Sequence, residues 1–188
     1  PDPVARERGC IDLLNELEGS RYVLIGGYAV SSYGLPRSSV DLDLVVPEAD
    51  AEAIRAVLKR RGLRIERDQA GARPLAAAFE RWSDGLVNVD LLIGRVSDRR
   101  SGASFPFDVI EANSSKRTIE GLAPAAVATG IVASPEMLIV LKLTAGRLVD
   151  LRDVTVLSRQ ELTLDVIQSL ASAAQPETIL GTVDRLAR

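Results

Sequence analysis

A segment near the N-terminus, residues 22–46, constrains the fold of this chain more than any other part; it reads YVLIGGYAVSSYGLPRSSVDLDLVV. Its first apolar residues predict a strand that ends at Gly26-Gly27, and a short helix follows. A second apolar strand then carries Asp41 and Asp43. The segment therefore predicts a phosphate-sized pocket of backbone N–H groups beside two carboxylates.

These two carboxylates are expected to share one face of their strand. Side chains two positions apart on a strand point the same way, so Asp41 and Asp43 converge while Leu42 and Leu44 enter the core. A third carboxylate, Asp90, lies in LVNVDLLIG, a run typical of a buried strand, where an isolated charge would be costly.

Clustered carboxylates repel one another and raise one another's pKa unless a cation neutralises them. Mg²⁺ is the expected counterion, because it takes hard oxygen ligands and keeps positions for water and substrate phosphates. The pattern suits metal-assisted phosphoryl or nucleotidyl transfer.

Composition excludes several other classes of site. The chain of 188 residues contains no His, which removes Ser-His-Asp and Cys-His triads and His-ligated zinc. Its single cysteine, Cys10, forms no internal disulfide and is expected to be a reduced structural thiol. No apolar run approaches membrane-spanning length and no signal-peptide pattern is present, so we expect a soluble, cytoplasmic protein without a membrane partner. The net charge of −3 predicts no global attraction to nucleic acid.

Hydrophobic periodicity predicts an α/β (α+β) fold in which helices and strands mix first and helices dominate later. Ser134 is a candidate N-cap, with Pro135 in the first turn of the helix that follows. In the first part of the chain we predict helices over 4–18, 28–33 and 47–62, and strands over 22–25, 40–46 and 86–93, with one or two further strands within 63–82. A loop is predicted at RVSDRRSGASFPF, followed by strands near 109–112 and 118. From residue 134 onward we predict helices, including the stretch 163–187.

The glycine pair, the helix, the RSSVDLDLVV strand and the separate strand with one Asp together resemble the polymerase-β-like nucleotidyltransferase superfamily. The resemblance is to its minimal branch, which includes AbiEii-like and MenT-like toxin nucleotidyltransferases. The later stretch SPEMLIVLKLTAGRLVDLRDVTVL resembles the C-terminal helical motif of that family. The resemblance implies a catalytic core with a mixed sheet flanked by helices over residues 1–130, and a helical C-terminal region packed on it over 131–188.

The resemblance also implies a chemistry. NMP would pass from an NTP such as ATP to an acceptor hydroxyl, with release of pyrophosphate. Asp41 and Asp43 would bridge two Mg²⁺ ions, with Mn²⁺ as an alternative, and Asp90 would complete the metal site and act as the base. Lys142 would neutralise charge on the triphosphate, which makes it the fourth catalytic candidate. The implied nucleotide-binding set is Gly26, Gly27, Arg37, Ser38, Lys142, Arg147, Asp150 and Asp153.

Each of these assignments has a structural alternative. The superfamily's usual Gly-Ser pair is Gly26-Gly27 here, so phosphate binding would depend on backbone N–H groups, and the pair could equally be a tight strand-to-helix turn. Lys142 could extend to solvent from an apolar helix. Arg147, Asp150, Arg152 and Asp153 could form ion pairs on a helix surface.

The acceptor is open as well. The toxin-like resemblance implies tRNA or another RNA end as the acceptor and a cognate antitoxin protein as a partner. The alternatives are adenylyl transfer to a small molecule such as an antibiotic or to a protein hydroxyl, and a catalytically silent binding module with the same fold. An electropositive groove beside the carboxylates would favour RNA, whereas a closed pocket would favour a small acceptor.

Overall fold

A computed structural model of the chain describes residues 2–34, 39–68, 78–98, 102–121 and 126–174. Within these ranges, helices pack on a seven-stranded mixed sheet, and two further short strands form a separate hairpin. The helices are α1 (Pro3–Glu16), α2 (Gly26–Ser31), α3 (Ala51–Arg60), α4 (Phe107–Ala112), α5 (Pro135–Ala145), α6 (Leu148–Leu157) and α7 (Leu164–Ala174). The strands are β1 (Val23–Ile25), β2 (Asp41–Val46), β3 (Arg64–Asp68), β4 (Ala78–Ser83), β5 (Asn88–Ile93), β6 (Arg95–Ser97), β7 (Ser104–Pro106), β8 (Ser114–Glu120) and β9 (Val127–Ala133). The predicted fold class, a mixed sheet flanked by helices and followed by helices, is confirmed.

The order of strands in the large sheet is β3-β4-β5-β2-β1-β9-β8. β2 runs parallel to β5 and antiparallel to β1, and β4 runs antiparallel to β5. The two strands that carry the aspartates, β2 and β5, are therefore direct neighbours. This arrangement determines which side chains of β4 and β5 lie beside Asp41 and Asp43.

The core lies between the sheet and its helices. Leu42 and Leu44 of β2 are fully buried, whereas Asp41 and Asp43 are only half-buried, which is the alternation expected of a strand with one polar face. Burying an aliphatic side chain of this size stabilises the folded state by about 1.5–3 kcal/mol. Cys10 on α1 is also fully buried and has a free thiol.

Local signals position α5 as the sequence predicts. The hydroxyl of Ser134 accepts a hydrogen bond from the backbone N–H of Met137, at 3.2 Å, and Pro135 follows in the first turn. The helix ends at Gly146, whose φ of 63° places it in the left-handed region that glycine adopts without strain. Both caps fix the two ends of α5, the helix that carries Lys142.

The structure corrects two predicted elements. Residues 109–112, predicted as a strand, belong to α4, because Phe107 and Ile110 are buried at helical spacing. The predicted loop RVSDRRSGASFPF contains β6 and β7, which pair as a hairpin around residues 99–101, and those three lie outside the described part of the chain.

Strand β9 has no counterpart among the predicted elements. Its sequence, VATGIVA, is rich in small residues and carries Gly130 in its middle, which weakens a strand pattern. The structure shows why a glycine stands there: a Cβ added to Gly130 would lie 2.7 Å from the Tyr22 hydroxyl oxygen. Close packing in the tertiary structure, rather than strand propensity, therefore accounts for this residue.

The C-terminal helices agree with the prediction as far as α7, and the part of the predicted helical stretch 163–187 beyond residue 174 lies outside the described residues. The division of the chain at residue 130 stays a prediction. In the described ranges, none of the helices combines the length and apolar character that a membrane span requires.

Candidate active site

The three aspartates singled out in the sequence line one cavity of about 370 Å³. Asp43 on β2 is paired with Asp90 on β5, and Asp41 lies two residues before Asp43 on the same strand. The alternation of side chains along β2 turns Asp41 and Asp43 to the cavity. Neighbouring parallel strands thus bring the three carboxylates together, and we refer to Asp41, Asp43 and Asp90 as the carboxylate trio.

The Asp43 carboxylate lies against the start of α2. Gly26 has a φ of 70°, and a Cβ added there would lie 1.8 Å from Oδ2 of Asp43. Glycine is therefore required at position 26 for two reasons: the backbone has a positive φ there, and the Asp43 carboxylate occupies the space of a Cβ. Both Gly26 and Gly27 line the cavity.

Arg81 on β4 is a residue of this cavity that the sequence did not reveal. Its guanidinium forms a two-point ion pair with Asp90, with Nε 2.7 Å from Oδ1 and Nη2 2.6 Å from Oδ2. The same Nη2 lies 3.4 Å from Oδ2 of Asp41. The hydrogen bonds to Asp90 raise the pKa of Arg81 further above its usual value. The pairing of Arg81 with Asp90 across β4 and β5 depends on sheet register, and no local pattern in AFERWS reports that register.

Asp43 has an unusual electrostatic position. Burial, together with the negative charge of Asp90, raises its pKa to about 7, while Lys142 acts in the opposite direction. Arg81 contacts the other two carboxylates of the trio, and no hydrogen bond or ion pair to the Asp43 carboxylate is found in the described part of the chain. A cation placed beside Asp43 would therefore relieve an unfavourable charge.

A second group of charges lies on α5 and α6, at the wall of the same cavity. Nζ of Lys142 is 3.2 Å from Oδ1 of Asp150 and 2.8 Å from Oδ2 of Asp153, and its side chain is only 8 % exposed. Arg147 donates to Asp150 from its backbone N–H and from its guanidinium. Burial opposes the ionisation of Asp150, but the hydrogen bonds from Arg147 and the charge of Lys142 outweigh it and lower its pKa. Asp150 is thus a buried partner of both cations, and Asp153 is a buried partner of Lys142; neither belongs to a surface network.

Most of the predicted site residues meet in this cavity. Asp153 does not line it, but it forms an ion pair with Lys142, which does. Arg37 and Ser38 lie outside the described residues. The remaining predicted residues line its wall: Gly26, Gly27, Asp41, Asp43, Asp90, Lys142, Arg147 and Asp150. Their roles in binding and catalysis stay predictions.

The donor set of the trio suits a hard divalent cation, since it consists of carboxylate oxygens on two neighbouring strands. The carboxylates are not gathered for coordination in this structure: across the described ranges, no three His, Cys, Asp or Glu side chains are placed to hold a metal ion. In this arrangement the Arg81 guanidinium contacts both oxygens of Asp90 and approaches Asp41. The chemistry of the trio therefore fits Mg²⁺ or Mn²⁺, while in the present arrangement Arg81 pairs with two of its three carboxylates.

Comparison with known proteins rests on structure. No protein-family model matches the chain, and no curated protein matches it by sequence. Among solved structures, ANT(2'')-Ia in complex with adenylyl-2''-tobramycin is 15% identical over 87% of this chain and 91% of that chain, with a TM-score of 0.57. This structural likeness identifies the architecture of the chain. This chain has the nucleotidyltransferase fold.

Two further structures with the nucleotidyltransferase fold agree. The solution structure of the antibiotic-resistance factor ANT(2'')-Ia is 14% identical over 96% of this chain and 93% of that chain, with a TM-score of 0.60. The lincosamide antibiotic adenylyltransferase LnuA, bound to lincomycin, is 17% identical over 81% of this chain and 94% of that chain, with a TM-score of 0.52. These neighbours support the superfamily named from the sequence at the level of the fold, whereas its AbiEii-like and MenT-like branch stays a prediction.

Proposed function

We propose that this chain is a Mg²⁺-dependent nucleotidyltransferase that moves NMP from an NTP to a hydroxyl of a small-molecule acceptor. The observation that carries the proposal is the pairing of Asp43 with Asp90 beside Gly26, in one cavity with Lys142 and Arg147. Carboxylates for a divalent cation and cations for a polyphosphate are the two requirements of this reaction, and both are present in this cavity.

In the reaction, the acceptor oxygen bonds to the α-phosphorus, the bond from that phosphorus to the bridging oxygen breaks, and pyrophosphate leaves with the electron pair. The proton of the acceptor hydroxyl goes to a carboxylate, for which Asp90 is the candidate. Lys142 and Arg147 orient the triphosphate from the α5–α6 side of the cavity. Bound Mg²⁺ would supply charge stabilisation at the phosphoryl oxygens, held by Asp41, Asp43 and Asp90.

Three features favour a small acceptor over RNA. The cavity volume of about 370 Å³ lies in the range of small-molecule sites, roughly 300–1,000 Å³. Among the described residues, each cation that lines it is already ion-paired: Arg81 with Asp90, and Lys142 and Arg147 with Asp150. Because Lys142 and Arg147 would serve the triphosphate and Arg81 is paired with Asp90, the described lining of the cavity holds no further row of cations for an RNA backbone.

The third feature is the set of structural neighbours, which includes proteins solved with adenylyl-2''-tobramycin and with lincomycin. At these identities they support the proposal through the fold alone. A tRNA acceptor, an antitoxin partner and a protein hydroxyl as acceptor stay predictions from the sequence.

The test is a transfer assay with Mg²⁺ and each of the four α-³²P-labelled NTPs. The acceptors are offered separately: tobramycin, lincomycin and total tRNA. Wild-type protein is compared with Asp43→Asn, which removes one carboxylate charge of the trio without changing its size. Asp108→Asn is the matched control, because the Asp108 side chain is 88 % exposed and lies outside the cavity.

We expect labelled small molecule with the wild type and with Asp108→Asn, and at least about a hundredfold less with Asp43→Asn. Label on tRNA instead would replace the small acceptor by RNA. Label on neither, with Mg²⁺-dependent NTP binding retained in a calorimeter, would favour a protein acceptor. Absence of NTP binding would contradict the enzyme and favour the silent module.

A further inference from the structure

Arg81 stands where a cation of the carboxylate trio would be expected. Its Nε and Nη2 use both oxygens of Asp90, at 2.7 and 2.6 Å, and Nη2 also lies 3.4 Å from Oδ2 of Asp41. Two-point pairs of this kind are among the stronger ion pairs, because both hydrogen bonds are charge-assisted and the guanidinium is preorganised. Both carboxylate oxygens of Asp90 therefore accept hydrogen bonds from Arg81 and are not jointly available to a metal ion.

The other described cations that line the cavity do not pair with the carboxylate trio. Lys142 is ion-paired with Asp150 and Asp153, and Arg147 is ion-paired with Asp150, so neither forms an ion pair with the trio. Among the described residues, Arg81 is therefore the cation in direct contact with two members of the trio, Asp90 and Asp41. It supplies one positive charge to three carboxylates.

The Arg81 side chain is accessible from the cavity. It is 36 % exposed and lines the cavity, whereas its partner Asp90 is 12 % exposed. Rotation of the guanidinium into the cavity would break the ion pair without opening the core. In that position it would face the same space that Lys142 and Arg147 border, which is the space proposed above for the triphosphate.

We propose that Arg81 is a resident counter-ion of the carboxylate trio that competes with the divalent cation for Asp90. Metal loading displaces the guanidinium, and nucleotide phosphates in the same cavity receive it. Metal and nucleotide consequently bind with positive coupling, since each stabilises the state in which Arg81 has left Asp90. This inference rests on the proposed function, and it makes Arg81 a positioning residue that controls access to Asp90.

The test measures Mn²⁺ affinity by the electron paramagnetic resonance signal of the free ion, in the absence and in the presence of an α,β-methylene NTP analogue that is not cleaved. Arg81→Gln removes the competing charge, and Arg81→Lys keeps the charge but loses the two-point geometry. Arg21→Gln is the matched control: Arg21 forms the same kind of two-point pair with Glu111, at 2.8 and 2.6 Å, outside the cavity.

Without nucleotide, we expect Arg81→Gln to bind Mn²⁺ at least about tenfold more tightly than the wild type, because a unit charge within a few ångströms has been removed. Arg81→Lys should lie between the two, and Arg21→Gln should match the wild type. The nucleotide analogue should tighten Mn²⁺ binding more in the wild type than in Arg81→Gln. Melting temperatures of all variants, with and without Mn²⁺, establish that each is folded, and the metal should stabilise Arg81→Gln more than the wild type.

The inference would be overturned if Arg81→Gln and Arg81→Lys bound Mn²⁺ no more tightly than the wild type. Equal coupling between Mn²⁺ and the analogue in wild type and Arg81→Gln would also overturn it. Neither result bears on whether the wild type transfers NMP, which the labelled-NTP assay decides separately. Conversely, tighter Mn²⁺ binding by Arg81→Gln would support the resident counter-ion even if no acceptor were labelled.

Discussion

Replacing Gly26 by Ala should separate backbone strain from damage to the carboxylate trio. Gly26 has a φ of 70°, so an alanine there is strained whatever the space around it. The added Cβ would also stand 1.8 Å from Oδ2 of Asp43, where real contacts are essentially never under 3.0 Å. The carboxylate or the start of α2 must therefore move by about 1.2 Å, a distance that follows from these two values.

Gly62 supplies the matched control, because it has a φ of 90° and nothing within 4 Å of an added Cβ. Gly62→Ala should cost only the left-handed strain, about 1–2 kcal/mol. For a chain of this length, that cost lowers the melting temperature by about 2–8 °C. Gly26→Ala should cost this much and, in addition, the displacement of Asp43.

A misplacement of about 1 Å in a catalytic group can reduce a rate by about a hundredfold. We therefore expect Gly26→Ala to lose about a hundredfold in NMP transfer, measured by the labelled-NTP assay, while Gly62→Ala keeps wild-type activity once both are assayed below their melting temperatures. If Gly26→Ala transferred NMP within threefold of Gly62→Ala, the close approach of Gly26 to Asp43 would have no functional meaning, and our reasoning would be refuted.

Two further predictions concern buried charge. In EDTA, the contribution of Asp43 to wild-type stability should fall as pH rises from 4 towards 7. The folded-state pKa of Asp43, about 7, lies above its ordinary value of 3.8, so the folded state holds the extra proton in this range. Asp43→Asn should remove this slope and be more stable than the wild type above pH 7 by about 1–3 kcal/mol in urea unfolding; a difference that does not vary with pH would contradict it. Lys142→Met should destabilise the fold by up to about 3–5 kcal/mol in the same measurement, because it removes the cation between the buried Asp150 and Asp153, while Asp150 keeps its hydrogen bonds from Arg147. Adding Asp153→Asn should restore part of that loss, and a single variant within 1 kcal/mol of the wild type would assign Lys142 no structural role.

Much of the site was accessible from the sequence because its signals are local. The spacing of Asp41 and Asp43 predicts a shared face from the period of a strand alone. Asp90 could be recognised because a lone carboxylate in an apolar strand needs a partner. The N-cap Ser134 predicts the start of α5 from the hydrogen bond that its hydroxyl accepts.

The errors occurred where local pattern and tertiary packing disagree. Residues 109–112 have strand-like composition, but the buried pair Phe107 and Ile110 selects a helix. β9 is composed of small residues around Gly130, and the Tyr22 hydroxyl leaves no room for a side chain at that glycine. Neither contact can be obtained from the residues of the segment itself.

The sequence by itself determined the mixed α/β character of this chain and the identity of the carboxylate trio, since both follow from periodicity and from the cost of burying charge. Tertiary structure alone decided that Arg81 pairs with Asp90, and that Lys142 is held between Asp150 and Asp153. The physical reason is that strand register and helix docking bring together residues far apart in the chain, and the energies of those ion pairs exist only after that contact has formed.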